Sequence, residues 1–187
     1  MKKFLLSIAA ATMCLSVVAQ NLSTVPTPTD GYRGFGGLNV FTGIGNHPYD
    51  RFAVTSVHGF QTDHLYIGIG ASMQFSTNNY DYDYNNNYDD DEIEFVMPFF
   101  INMNYEVPVN RIAPFADLKI GYSVGDANGL YLLPSVGIRL SHISVWCGYN
   151  LLQDKKVDTR NNNKTDISYY NSIAFGVTLD WGARNKN

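Results

Sequence analysis

The chain is poor in cysteine, in clustered basic charge and in long apolar runs, and each shortage removes a class of protein. Its two cysteines are Cys14 and Cys147. Cys14 lies within an N-terminal secretory segment, so the secreted chain keeps Cys147 alone and can form no internal disulfide. Beyond that segment no stretch approaches the roughly 18 apolar residues of a membrane-spanning helix. No segment carries a convincing helical period either. Basic residues number 13 against 17 acidic ones. They lack the clustering that a phosphate backbone demands, so nucleic acid is excluded as a partner. His47, His58 and His64 have no metal-ligand spacing and read as structural or exposed.

The secretory segment is explicit. Lys2 and Lys3 supply the positive end, Phe4 to Ala19 the apolar stretch, and Val17-Val18-Ala19 a small-residue exit before Gln20. Residues 1–19 therefore read as a removed signal peptide and 20–29 as a short extended leader. Thr12-Met13 ahead of Cys14 lacks the small residue of a lipobox, which argues against a lipoprotein. Removing 19 of the 187 residues leaves 168, with 11 basic and 17 acidic side chains and a formal charge of −6. That length suits one domain.

What remains is β-structure. In residues 64–75, HLYIGIGASMQF, strict alternation puts Leu65, Ile67, Ile69, Ala71, Met73 and Phe75 on one face, with His64, Tyr66, Gly68, Gly70, Ser72 and Gln74 on the other. Residues 93–105 repeat the pattern: Ile93, Phe95, Met97, Phe99, Ile101, Met103 and Tyr105 oppose Glu94, Asn102 and Asn104. Strands are expected near 32–45, 51–60, 64–75, 93–105, 113–124, 130–140, 143–153 and 167–181. Each is long enough to cross a bilayer as a tilted strand, which takes roughly 9–11 residues.

The connections after strands three and seven are long and polar, and the other five are short. Both long ones fall at the same end of an up-and-down chain, the asymmetry of a bacterial outer-membrane barrel. Hydrocarbon offers no partner to an open edge, so the sheet must close. Pro98 and Pro134 remove ladder donors inside strands, and a bulge is expected at each. Gly34, Gly36 and Gly37 obscure the phase of strand one, and RFAVTSVHGF in strand two barely alternates.

The segment Ala174-Phe175-Gly176-Val177-Thr178-Leu179-Asp180-Trp181 resembles the terminal-strand signal of barrel proteins. Gly176, Leu179 and Trp181 match it, Ala174 stands where that signal has a polar residue, and six residues follow Trp181. With PFADLKIGYSVG at 114–125 and HGFQTDHLYIGIG at 58–70, the chain resembles the small eight-stranded outer-membrane barrels of the OmpX and OmpA-transmembrane-domain type over about 30–181. The resemblance implies an all-β, closed, eight-stranded antiparallel up-and-down transmembrane barrel in the bacterial outer membrane, with 182–187 as a periplasmic tail. It implies two partners: outer-membrane lipid, and the barrel-assembly machinery during biogenesis, with Gly176, Leu179 and Trp181 as the assembly signal. The external partner is not legible.

An eight-stranded lumen is just wide enough for side chains. Arg33, Glu94, Asn102, Asn104, Asp117, Lys119, Arg139 and Asp180 are the expected inward polar network, which must pair to be buried. Arg33 and Asp180 should meet across the seam, and Asp117 and Lys119 should face Arg139. Such a network reads as a plug in place of a hydrophobic core, against the sharper reading of an ion pathway. Tyr105 and Trp181 at one end and Tyr122, Tyr149 and Tyr169 at the other would form aromatic girdles.

Three candidate sites remain. Asp81, Asp83, Asn85, Asn87 (by its carbonyl), Asp89 and Glu92 reproduce the ligand spacing of a weak calcium loop, with Asn86 where glycine normally turns the chain. A solvated acidic loop explains the same composition, and no other cofactor is indicated. Gly121-Tyr122-Ser123-Val124-Gly125 matches G-x-S-x-G without the helix a nucleophile elbow needs. His142-Ile143-Ser144 resembles the pair of lipid A deacylases, yet Asp154 is a full strand away. No catalytic residue is assigned. The expected role is non-enzymatic display of polar loops 76–92 and 154–166, for envelope integrity or surface contact. Two alternatives stand beside it: a lipid A-modifying enzyme, and a soluble periplasmic barrel with Leu65, Ile67, Ile69, Phe95, Phe99 and Ile101 turned inward around an apolar ligand.

Overall fold

The computed structural model describes residues 30–44, 50–76, 95–109, 112–158 and 164–182. They form a closed antiparallel barrel of eight strands in chain order. The strands are β1 (Gly31–Ile44), β2 (Arg51–Thr62), β3 (Leu65–Ser76), β4 (Phe95–Glu106), β5 (Ala113–Gly125), β6 (Gly129–Leu140), β7 (Ile143–Asp158) and β8 (Lys164–Gly182). Closure comes from β8 pairing with β1, from Arg33↔Gly182 to Ile44↔Asn171. The long polar connection expected at 154–166 is shorter than that. The β7–β8 ladder continues to Asp158↔Lys164, because backbone pairing in a hairpin needs no apolar alternation.

Stagger sets which side chains meet. A path along paired residues runs Gly31, Gln61, Tyr66, Asn104, Asp117, Ser135, Gly148, Ala174 and back to β1 at Phe41, ten residues beyond its start. Such a shift accompanies strand tilt in any closed barrel. No ladder inserts an extra residue, so the bulges expected at Pro98 and Pro134 are absent. Ala71↔Phe99 and Gln74↔Val96 keep one register on either side of Pro98, as Leu132↔Leu151 and Ser135↔Gly148 do around Pro134. Each proline costs local pairing without displacing the strand.

The β2–β3 and β6–β7 turns hold two residues each, and the first enters the left-handed region: Asp63 at φ 49° and Ser141 at φ 59°. Together with the β4–β5 turn, the start of β1 and the end of β8 they define a short-turn end. The opposite, long-loop end carries the other four connections.

Radial polarity is sharp. Leu65, Ile67, Ile69, Phe99 and Ile101 are exposed on the outer surface and Asn102 is buried inside. The inverse arrangement required of a soluble ligand-holding barrel is therefore not the one adopted. β2 alternates strictly, with Arg51, Ala53, Thr55, Val57, Gly59 and Gln61 buried. Residues 1–29, His47, Asp81 to Glu92, Glu94 and 183–187 lie outside the described residues. The expected signal peptide, the calcium-like spacing and one expected lumen carboxylate are among them.

Candidate functional site

Most of the described charged side chains lie along the barrel axis. Among the described side chains, Arg33, Arg51, Lys119 and Arg139 are buried cations, and Glu106, Asp117, Asp154 and Asp180 buried anions. The count balances, and geometry divides it into two clusters and two single charges.

The first cluster closes the short-turn end. Arg33 on β1 donates from Nη2 to Asp180 Oδ2 at 2.8 Å across the β8–β1 seam, and from Nη1 to Glu106 Oε2 at 3.1 Å. Arg139 on β6 donates to Glu106 Oε1 at 2.6 Å and to Asp180 Oδ2 at 3.2 Å. Gln61 Oε1 accepts a further bond from Arg33 at 2.8 Å. Each carboxylate thus sits between two guanidinium groups, and four ions from β1, β4, β6 and β8 neutralise one another. Buried ions withstand desolvation only with such pairing. The bonds also tie strands that share no ladder, since Glu106 on β4 reaches both β1 and β6.

The second cluster lies deeper. Asp117 is ion-paired with Lys119, accepts from Asn102 Nδ2 at 2.5 Å and Asn104 Nδ2 at 3.3 Å, and meets the Ser135 hydroxyl at 3.4 Å. Lys119 Nζ also lies 5.2 Å from the Trp146 ring centroid, a cation–π arrangement. Arg139 belongs to the first cluster, which corrects the expectation that it joins Asp117 and Lys119. Asp117 pairs with Ser135 and Ala113 with Arg139, so the arginine stands four residues nearer the short-turn end.

A cavity of about 40 Å³ lies in the lumen, lined by Asn39, Thr55, Asn102, Phe115, Asp117 and Trp146 among others. That is room for roughly three waters and not for a solute. Toward the long-loop end the filling turns apolar: Phe41, Val96, Phe100, Tyr131, Leu133 and Leu152 are buried together. Arg51 lies among them, 5.2 Å from the Phe41 ring centroid. It donates from Nη2 to Asn150 Oδ1 at 2.9 Å and Ser172 Oγ at 3.0 Å, while its Nε and Nη1 have no partner among the described residues.

Glu106, Gln61, Arg51, Asn150 and Ser172 escape the sequence reading. For Glu106 a signal existed, because it continues the every-second-residue series of Asn102 and Asn104. Its place beside Val107 and Pro108 made it look like part of the turn. Outside the lumen, Tyr105 and Trp181 project outward toward the short-turn end, and Tyr122, Tyr149 and Tyr169 toward the other, with Cys147 also exposed. Of the terminal segment, Leu179 and Trp181 face outward. Gly176 faces inward against Trp146, whose indole occupies the space a Cβ would need.

Neither enzyme-like motif forms a site. Ser123 is fully buried and donates to the Gly129 carbonyl at 3.2 Å, on a strand and not at an elbow. Ser144 points into the lumen, whereas His142 occupies the β6–β7 turn and contacts the Asp180 carbonyl at 3.3 Å. Asp154 lies ten residues up β7 from Ser144 and receives the Asn128 amide at 3.2 Å.

No protein-family model matches the chain, and no curated protein matches it either. Among solved structures the chain is similar to Neisserial surface protein A (NspA), with a TM-score of 0.50 and 10% sequence identity, covering 81% of this chain and 99% of that one. At this identity the likeness concerns the fold alone.

Proposed function

We propose that the chain is an outer-membrane barrel of the small OmpX and OmpA-transmembrane-domain type, carried across the inner membrane by residues 1–19. Its role is non-enzymatic: a plugged, rigid barrel that presents the polar segments 77–94 and 159–163 at the cell surface, for envelope integrity or surface contact. One observation carries the reading. Ile69 is 70% exposed, Phe60 67% and Leu38 64%, while eight charged side chains among the described residues are enclosed. Water-soluble proteins rarely expose contiguous apolar surface on this scale. A belt of this kind is what lipid requires of a transmembrane barrel.

Extraction decides the matter. Expressed with its leader, the protein should fractionate with outer membranes, need detergent for release, and migrate differently on gels before and after boiling. Recovery from the soluble periplasm would overturn the proposal. The calcium spacing at Asp81 to Glu92 is tested by titrating the intact barrel with calcium against Asp83→Ala: no saturable difference is expected of a solvated acidic loop, and a saturable one would assign the segment to calcium.

A further inference from the structure

The apolar belt is interrupted by a hydrogen-bonded chain of polar side chains. Ser56 and His58 are two residues apart on β2 and share its outward face. The Ser56 hydroxyl lies 3.0 Å from His58 Nε2, and the Tyr32 hydroxyl of neighbouring β1 lies 2.6 Å from His58 Nδ1. Trp181 of β8 completes the cluster, its ring centroid 6.0 Å from that of His58 with the planes at 64°. Two glycines of β1 allow that approach. A Cβ on Gly34 would stand 2.5 Å from Trp181 Nε1, and one on Gly36 3.0 Å from Cζ3, so a side chain there would lift the indole off the sheet. The cluster spans β8, β1 and β2, the seam where the barrel closes.

Hydrogen counting shows what the cluster lacks. Two hydroxyls and a neutral imidazole carry three polar hydrogens, and the chain uses two. With the ring proton on Nε2, Tyr32 donates to Nδ1, Nε2–H donates to Ser56, and the Ser56 hydrogen is left over. With the proton on Nδ1 the order reverses and the Tyr32 hydrogen is left over. The indole N–H of Trp181 is a further donor at the same surface. In either tautomer the surface offers two surplus donors.

We infer that this cluster binds a glycerophospholipid of the leaflet at the short-turn end, through its phosphate and ester oxygens. The inference rests on the membrane reading proposed above. Those oxygens only accept, so they complement a donor-rich patch, and tyrosine and tryptophan rings favour the headgroup level at which they lie. The acyl chains would run toward the middle of the barrel along the outward row of Ile69 and Met73 on β3 and Val54 and Phe52 on β2, all exposed. A second copy of the barrel would bring the same surplus of donors and so complements the patch less well.

The test uses the full-length barrel folded in dodecyl maltoside and titrated with phosphatidylcholine brominated on its acyl chains. Trp181 fluorescence reports the contact, while Trp146, enclosed in the lumen, supplies a constant background. The comparison is the triple variant Tyr32→Phe, Ser56→Ala, His58→Leu, which only makes the belt more apolar and so should fold. The variant should need about fivefold more lipid for half-maximal quenching, from roughly 1 kcal/mol of lost hydrogen bonding. Brominated dodecyl maltoside should quench both proteins alike. Equal half-points for phospholipid, or an equal shift with the brominated detergent, would overturn the site while leaving the barrel intact. Loss of heat-modifiable migration in the wild-type protein would sink the membrane reading and the site together.

Discussion

At the short-turn end of the lumen, Arg33, Glu106, Arg139 and Asp180 neutralise one another within 3.2 Å contacts. At the long-loop end Arg51 is a single guanidinium among Phe41, Tyr131 and Leu152, bonded to the neutral acceptors Asn150 and Ser172. Both halves are closed to solutes, but by different physics. The ionic half stabilises through mutual pairing, so each member depends on the rest. The aromatic half fills space, and its one cation is incidental to the packing. The contrast shows why a narrow barrel need not choose between a polar plug and a hydrophobic core. Ten residues of stagger around the ring let one set of strands supply both.

Glu106→Ala should break this comparison most severely. It leaves Arg33 and Arg139 short of a carboxylate, at a cost of about 3–5 kcal/mol, read as a lower urea midpoint for the barrel folded in lipid vesicles. Leu152→Ala in the aromatic half should cost about 3 kcal/mol by the same measurement, through lost burial and the cavity left behind. Ile69→Arg, on the outward face, should cost about 2 kcal/mol in a bilayer, since a charged side chain turned toward hydrocarbon is penalised there. A water-facing isoleucine would tolerate the change almost freely, so a null result would count against the lipid belt. Arg51→Met should stay within about 1 kcal/mol of wild type or rise above it, because an apolar replacement of a buried ion is often neutral or stabilising. Ser172 Oγ still donates to Asn150 Oδ1 at 3.3 Å once the arginine is gone. An Arg51→Met loss as large as that of Glu106→Ala would erase the distinction between the halves.

Several elements were legible because alternation with period two is imposed by the strand itself. The outward rows of β3 and β4 followed from Leu65 to Phe75 and Phe95 to Tyr105, and the up-and-down strand order followed from short and long connections. β2 was not legible, since the lumen accepts Ala53 and Val57 while the outer face carries Ser56 and His58, blurring polarity on both sides. The prolines misled in the other direction. A missing amide hydrogen signals lost pairing, and only the paired neighbours reveal that the register at Pro98 and Pro134 does not slip.

Inward or outward is a property of one residue and its neighbours along the strand, so the pattern of side chains was enough to enclose Arg33, Asn102, Asp117, Lys119 and Asp180. Which charge meets which is a property of the closed ring. Tilt and stagger raise each strand against the next, and they carried Glu106 from an apparent turn to the centre of an ion cluster and moved Arg139 away from Asp117. No count along a single strand contains that displacement, because it accumulates over eight pairings before the last strand finds the first.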